Sequence, residues 1–217
     1  MLKELTFKIA RKRSFGKLVG FLFASFSPII PVRKLLNNKN VIAFFHPVPS
    51  YEQHVLIVPK KIIGRLFDLK YSSIFDSVIE AAISVSNQIV WENKCIILCA
   101  NGGSRQDVKQ LHFHLFSAET ILPQDSIENT EVIITNDDRF CPYNIALKKF
   151  NKKSIIEIAL IEGENDGSKR IHKLFKDFPI LLKLLDDMYH FEESGFTIKI
   201  LISENSKIKT GKIYIDF

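Results

Sequence analysis

Residues 109–117 read KQLHFHLFS, and their alternation decides the fold class. Side chains of a strand point to opposite faces in turn. Leu111, Phe113 and Leu115 therefore share one face, and Gln110, His112 and His114 share the other. The apolar row predicts a core-facing strand in an antiparallel sheet with one covered side. The polar row is open to two readings, a wet sheet surface or a site built on two titratable rings. Neutral imidazoles ligate metals. No CxxC, HExxH or carboxylate cluster stands nearby, however, and no metal or cofactor is assigned.

Working outward, the stretches on either side have the same character. VIAFF (41–45) and HVLIVP (54–59) read as strands joined by a loop punctuated by Pro47 and Pro49. Ile74, Val78, Ala81, Ala82, Val85 and Ile89 form the inner stripe of a helix predicted over Ser73–Trp91. CIILCA (95–100) is a short buried strand that ends in the loop NGGSRQD, and residues 108–117 follow as the strand of the opening. The order is strand, strand, helix, strand, loop, strand.

The remainder repeats that order. VIIT (132–135), YNIALKKF (143–150) and SIIEIALIE (154–162) read as strands, the first followed by a loop holding Asp137 and Asp138. A helix is predicted over 169–191, kinked or split at Pro179. FTIKILIS (196–203), the loop ENSKIKTG and KIYIDF complete the second round. The pattern predicts an α+β chain with an internal duplication, in which two halves share one continuous sheet. The second copy lacks the His-x-His pair, with Tyr214 and Asp216 near its place. His172 and His190 fall on the predicted helix and carry no assigned role.

Composition narrows the class. The chain has 217 residues, 46% hydrophobic and 25% charged, which is ordinary for a globular protein. The net charge of +6 is local: residues 1–39 carry nine basic residues and one acid, and the other 178 residues sum to −2. General nucleic-acid binding by the main body is therefore not expected. Phe15, Leu18, Val19, Leu22, Phe23 and Phe26 have helical spacing between Ser14 and Pro28. This front end is read as a helix docked on the protein's own core, with peripheral contact to an anionic membrane through residues 1–28 as the alternative. No stretch is long and apolar enough to span a bilayer. The three cysteines (Cys95, Cys99, Cys141) lie in or beside apolar runs and suit free thiols in a reducing cytoplasm.

Two separated elements then resemble the histidine-triad (HIT) superfamily of nucleotide hydrolases and transferases. Ala43, Phe44, Pro49, His54, Leu56, Pro59 and Lys60 match its first element; Asn101, Gly103, Gln106, Val108, His112 and His114 match its second. The resemblance covers residues 30–116. It implies a HIT-like antiparallel meander sheet with helices on one face, duplicated here as an intramolecular pseudo-dimer. The two-copy architecture resembles galactose-1-phosphate uridylyltransferase and diadenosine tetraphosphate phosphorylase in arrangement only. The divisions expected are a basic segment at 1–29, a HIT-like domain at 30–120 and a degenerate second half at 121–217.

The resemblance further implies that His112 is the nucleophile that forms a nucleotidyl-histidine, with His114 and His54 as supporting donors. Asn101, Gly103, Arg105, Gln106, Gln110 and His46 are the substrate-binding candidates. The chain departs from the family at two of these. Gln110 stands where the first histidine of the triad would be, and His46 stands where an acid would hold the ribose hydroxyls. Arg105 is left between a phosphate clamp and a solvated loop cation. The expected activity is hydrolysis or nucleotidyl transfer on a nucleoside phosphoramidate or dinucleoside polyphosphate, by a monomeric pseudo-dimer or a homodimer. The alternatives are a nucleotide sensor without turnover and an interaction protein that uses the fold as a scaffold.

Overall fold

A computed structural model describes residues 32–68, 72–121, 129–133, 143–150, 153–160, 167–204, 207–208 and 212–217. The basic segment 1–29, Cys141, Asp137 and Asp138 lie outside the described residues, as does the His172 side chain. The strands are β1 (Lys34–Asn37), β2 (Val41–Phe45), β3 (His54–Pro59), β4 (Cys95–Gly102), β5 (Phe113–Ala118) and β6 (Asn129–Ile133). They continue with β7 (Tyr143–Phe150), β8 (Lys153–Leu160), β9 (Phe196–Glu204), β10 (Lys207–Ile208) and β11 (Lys212–Asp216). The helices are α1 (Ser72–Ser86), α2 (Gly167–Tyr189) and the single turn α3 (Phe191–Ser194).

All eleven strands join one antiparallel sheet in the order β1-β2-β3-β5-β4-β9-β11-β8-β7-β6, with β10 added to β9. That order is a palindrome. Read from either edge, each half contributes strands one, two, three, five and four, and the fourth strands β4 and β9 pair at the centre. The duplication expected from the sequence is thus the plan of the molecule, and the β4–β9 strand pair joins the two halves.

One face of the sheet is covered by the helices. Leu111, Phe113 and Leu115 are fully buried there with Val78, Ile79, Ala82 and Val85 of α1. Phe75 of α1 makes edge-to-face contacts with Phe113 of β5 (5.8 Å) and Phe178 of α2 (5.7 Å), so one aromatic file joins the two halves beneath the sheet. The opposite face carries smaller apolar clusters around Phe44 and Leu56 and around Cys95, Ile97 and Phe116. Among the described residues no helix is long and apolar enough to cross a membrane.

Several boundaries differ from the sequence reading for local reasons. The first helix stops at Ser86, where the Trp91 indole N–H donates to the Ser86 carbonyl (2.8 Å) and turns the chain back. Pro179 sits inside an unbroken α2, and His190 lies after that helix in a left-handed turn (φ 51°). The ladder of β5 begins only at Phe113, because Leu111 N–H donates instead to the Ile63 carbonyl (2.7 Å). The edge strand β1 has no apolar alternation and was not foreseen.

Candidate active site

His54 opens β3 and His114 is the second residue of β5; Leu56 pairs with His114 and His54 with Phe116, so the two rings are diagonal neighbours on the uncovered face. Their nitrogens meet, His54 Nε2 to His114 Nδ1, at 2.9 Å. His112 lies one strand step away, its ring centroid 5.0 Å from that of His114. His46, at the start of the β2–β3 loop, stacks on His54 at 4.3 Å with planes 8° apart. Four histidines from three segments therefore form one cluster.

The loop sequence HPVPS determines which nitrogens carry protons. Pro47 and Pro49 have no N–H, which leaves Val48 and Ser50 as the donors of this turn. Val48 N–H donates to His46 Nδ1 (3.1 Å) and Ser50 N–H to His54 Nδ1 (3.2 Å). A nitrogen that accepts is unprotonated, so both rings hold their proton on Nε2. His54 Nε2 thus donates to His114 Nδ1, and His114 in turn holds its proton on Nε2. His112 is the reverse case: its Nδ1–H donates to the Gln110 carbonyl (2.8 Å), and its lone pair is on Nε2.

Burial keeps these rings neutral. It lowers His54 to a pKa of about 4, helped by His46, and His114 to about 3, helped by His112, His54 and His46. His112 is lowered by burial against the opposing pull of the Gln110 carbonyl and Asp107. A histidine less basic in the folded chain than in the unfolded one makes unfolding take up protons between those values and 6.5. Stability is full above pH 6.5 and is lost as pH falls through that window, by on the order of 1 kcal/mol per pH unit and ring. Urea midpoints are expected to drop between pH 7.5 and 5, and His54→Gln is expected to flatten the drop. A midpoint independent of pH over that range contradicts the assignment.

His46, His54 and His114 bring ligand-capable atoms within 4.8 Å of one another, so a divalent metal has to be tested against the geometry. Two observations oppose it. Imidazole lone pairs lie in the ring plane, and the near-parallel rings of His46 and His54 do not converge on one ion at the ~2.1 Å of a metal–nitrogen bond. A ligating histidine also donates its second N–H outward, whereas here both Nδ1 atoms accept from backbone.

The other candidates are placed differently. Gln110 is buried, its amide donating to the Pro59 and Lys61 carbonyls (3.2 and 3.0 Å) and accepting from Ile63 N–H (3.4 Å), so it staples the chain after β3. Gln106 donates to the Gly64 and Val108 carbonyls (2.6 and 2.8 Å). Asn101 accepts from the Thr197 hydroxyl (2.8 Å). Arg105 donates to the side chain and carbonyl of Asp216 (both 3.1 Å), joining the β4–β5 loop to β11. Gly103, at φ 57°, lies against the Glu192 carbonyl.

Thr197, Asp216 and Ser194, whose carbonyl accepts from the Ser104 hydroxyl (2.6 Å), come from the second half and hold this loop. The first-half motif gave no sign of them. Asp216 is buried and also accepts from Lys199 (3.4 Å). Asp216→Asn leaves both cations short of a partner and is expected to cost about 2 kcal/mol in chemical denaturation. A loss below ~0.5 kcal/mol, the scale of an exposed pair, contradicts the clamp. Tyr51 was also not foreseen: it stacks on Phe116 at 4.0 Å and meets His54 edge-on at 5.4 Å, forming an aromatic wall beside the histidines.

Among the described residues, the equivalent face of the second half carries no histidine. Glu157 there accepts from Lys148 and Lys212, and Tyr214 pairs with Lys199.

Comparison with known proteins agrees with this architecture. Residues 27–121 match the HIT domain family. A family DUF4931 protein from Bacillus cereus is 11% identical, with 85% of this chain and 83% of that chain covered and a TM-score of 0.55. The yeast Ap4A phosphorylase in complex with AMP is also 11% identical, covering 92% of this chain and 64% of that chain at a TM-score of 0.53. A HIT family hydrolase from Clostridium thermocellum is 25% identical over 49% of this chain and 94% of its own, at a TM-score of 0.43. At such identities the first two show a shared fold across both halves. No curated protein matches the sequence.

Proposed function

We propose that this chain, a HIT superfamily member with its HIT domain at residues 27–121, is a nucleotide hydrolase or nucleotidyl transferase that works through a nucleotidyl-His112 intermediate. The observation that carries the reading is the proton pattern of the cluster. Of four adjoining imidazoles, His112 holds its proton on Nδ1, against a carbonyl, and so has its lone pair on Nε2. A neutral ring oriented in this way attacks phosphorus without a separate base. His114 Nε2–H, oriented through His54, is the donor for a phosphoryl oxygen, and the Asn101–Gln106 loop positions the phosphate.

The substrate class is a nucleoside phosphoramidate or dinucleoside polyphosphate. The yeast phosphorylase that shares the fold is seen with Ap4A, a dinucleoside polyphosphate, and with the nucleoside monophosphate AMP, which supports a nucleotide substrate. The division proposed is a basic segment at 1–29, a HIT-like domain at 30–120 and a degenerate second half at 121–217. The doubled strand order supports the last two, with the second half as a built-in partner that makes a monomer sufficient. Cys95 and Cys99, neither of them in a disulfide, suit a reducing cytoplasm. The test is to incubate the protein with labelled diadenosine tetraphosphate and trap label on the chain through an acid-labile bond. Nucleotide-dependent thermal stabilisation with no trapped label and no product would favour the sensor reading instead.

A further inference from the structure

We infer that the site accepts only substrates whose leaving group departs as an anion, such as the phosphate side of a phosphoanhydride, and discriminates against phosphoramidates, whose amine must be protonated to leave. The inference rests on the nucleotidyl-transfer reading above and narrows its substrate class.

The argument begins with the two backbone donors. A protonated imidazole has a proton on both nitrogens. His46 and His54 cannot take a second proton on Nδ1 without opposing the Val48 and Ser50 N–H groups that already point there. His114 cannot take one on Nδ1 without opposing His54 Nε2–H. His54 cannot move that proton to its own Nδ1, because Ser50 occupies the position. The lock passes from the Pro-Val-Pro-Ser turn through His54 to His114, and burial acts in the same direction. The charged side chain acting on the cluster is Asp107, which acts on His112; Lys199, two strands from His114 across Cys99, is paired with Asp216 at 3.4 Å. Gln110, in the place of a fifth imidazole, has committed its amide to backbone.

The step this permits is defined. The His112 Nε2 lone pair forms the N–P bond as the bond from phosphorus to the leaving oxygen breaks, and that oxygen departs with the electron pair as an anion. His112 keeps its Nδ1 proton on the Gln110 carbonyl and carries the positive charge. His114 Nε2–H donates a hydrogen bond and keeps its proton. Water or an acceptor hydroxyl then attacks phosphorus, releases neutral His112 and passes its own proton to solvent. An anhydride oxygen leaves readily this way; an amine does not, since no group in the cluster supplies its proton. A positioned general acid is worth about 10²–10⁴-fold, and that is the advantage missing for basic leaving groups.

The experiment compares AMP esters of 4-nitrophenol, 4-chlorophenol and phenol with the benzylamine phosphoramidate of AMP, using the full chain. Ring nitrogen shifts from nitrogen-15 NMR at pH 7 are recorded in parallel. Expected are a kcat/KM that falls at least tenfold from the nitrophenyl to the phenyl ester, and a phosphoramidate roughly a hundredfold or more below the nitrophenyl ester. His54 and His114 should show an unprotonated Nδ1. Phosphoramidate turnover within tenfold of the nitrophenyl ester, or an imidazolium at His54 or His114 at pH 7, overturns this inference while leaving the enzyme reading intact. No turnover of any of the four overturns both.

Discussion

His112→Ala is expected to lower turnover of a hydrolysed dinucleotide by on the order of 10⁴-fold or more, the scale found when a covalent nucleophile is removed. The reason is specific to the proton pattern. The ring nitrogens of His46, His54 and His114 are each a donor or already an acceptor, so no neighbour takes over the attack. The variant should fold normally, because His112 is only partly buried and its one polar contact is to a carbonyl that can turn to water. Nucleotide binding, followed by thermal shift, should survive while acid-labile labelling disappears. Retention of more than about a tenth of wild-type turnover in a folded His112→Ala protein would remove His112 from the nucleophile role and the proposed mechanism with it.

Gly103→Ala is expected to be the most damaging single-methyl change in the loop. Gly103 has φ 57°, and a Cβ built there lies 2.0 Å from the Glu192 carbonyl oxygen and 3.0 Å from the Gly195 Cα. The obstruction is backbone, so rotation of a side chain does not relieve it. Left-handed strain and enforced displacement together amount to about 3 kcal/mol. To relax, the loop must separate from the turn at Glu192–Gly195, which also disturbs the Ser104 contact to the Ser194 carbonyl and the hold of Arg105 on Asp216. Equilibrium unfolding and kcat/KM should therefore fall together. An alanine variant as stable as wild type would show that the two halves do not meet closely at this loop.

These two cases separate what is readable along the chain from what is not. The strands VIAFF, HVLIVP, CIILCA and LHFHLF were legible because period-two alternation is a local property, and the two-round order showed the duplication. His54, His112 and His114 were legible as a group because two elements with family-specific spacing bracket the helix. The staple made by Gln110 was not legible, because its residue type suggests a polar site while its amide is satisfied by three backbone groups some fifty residues earlier. Arg105 was undecidable because its partner, Asp216, is 111 residues away.

Sequence alone determined the α+β class, the doubled order of elements and the histidines that share a face, since alternation and spacing need no knowledge of distant neighbours. Tertiary structure alone decided which imidazole nitrogen carries which proton, and that the second half holds the β4–β5 loop of the first. Both depend on hydrogen bonds between groups a few ångströms apart, and a proton's position on a ring is set by whichever donor or carbonyl folding brings against it.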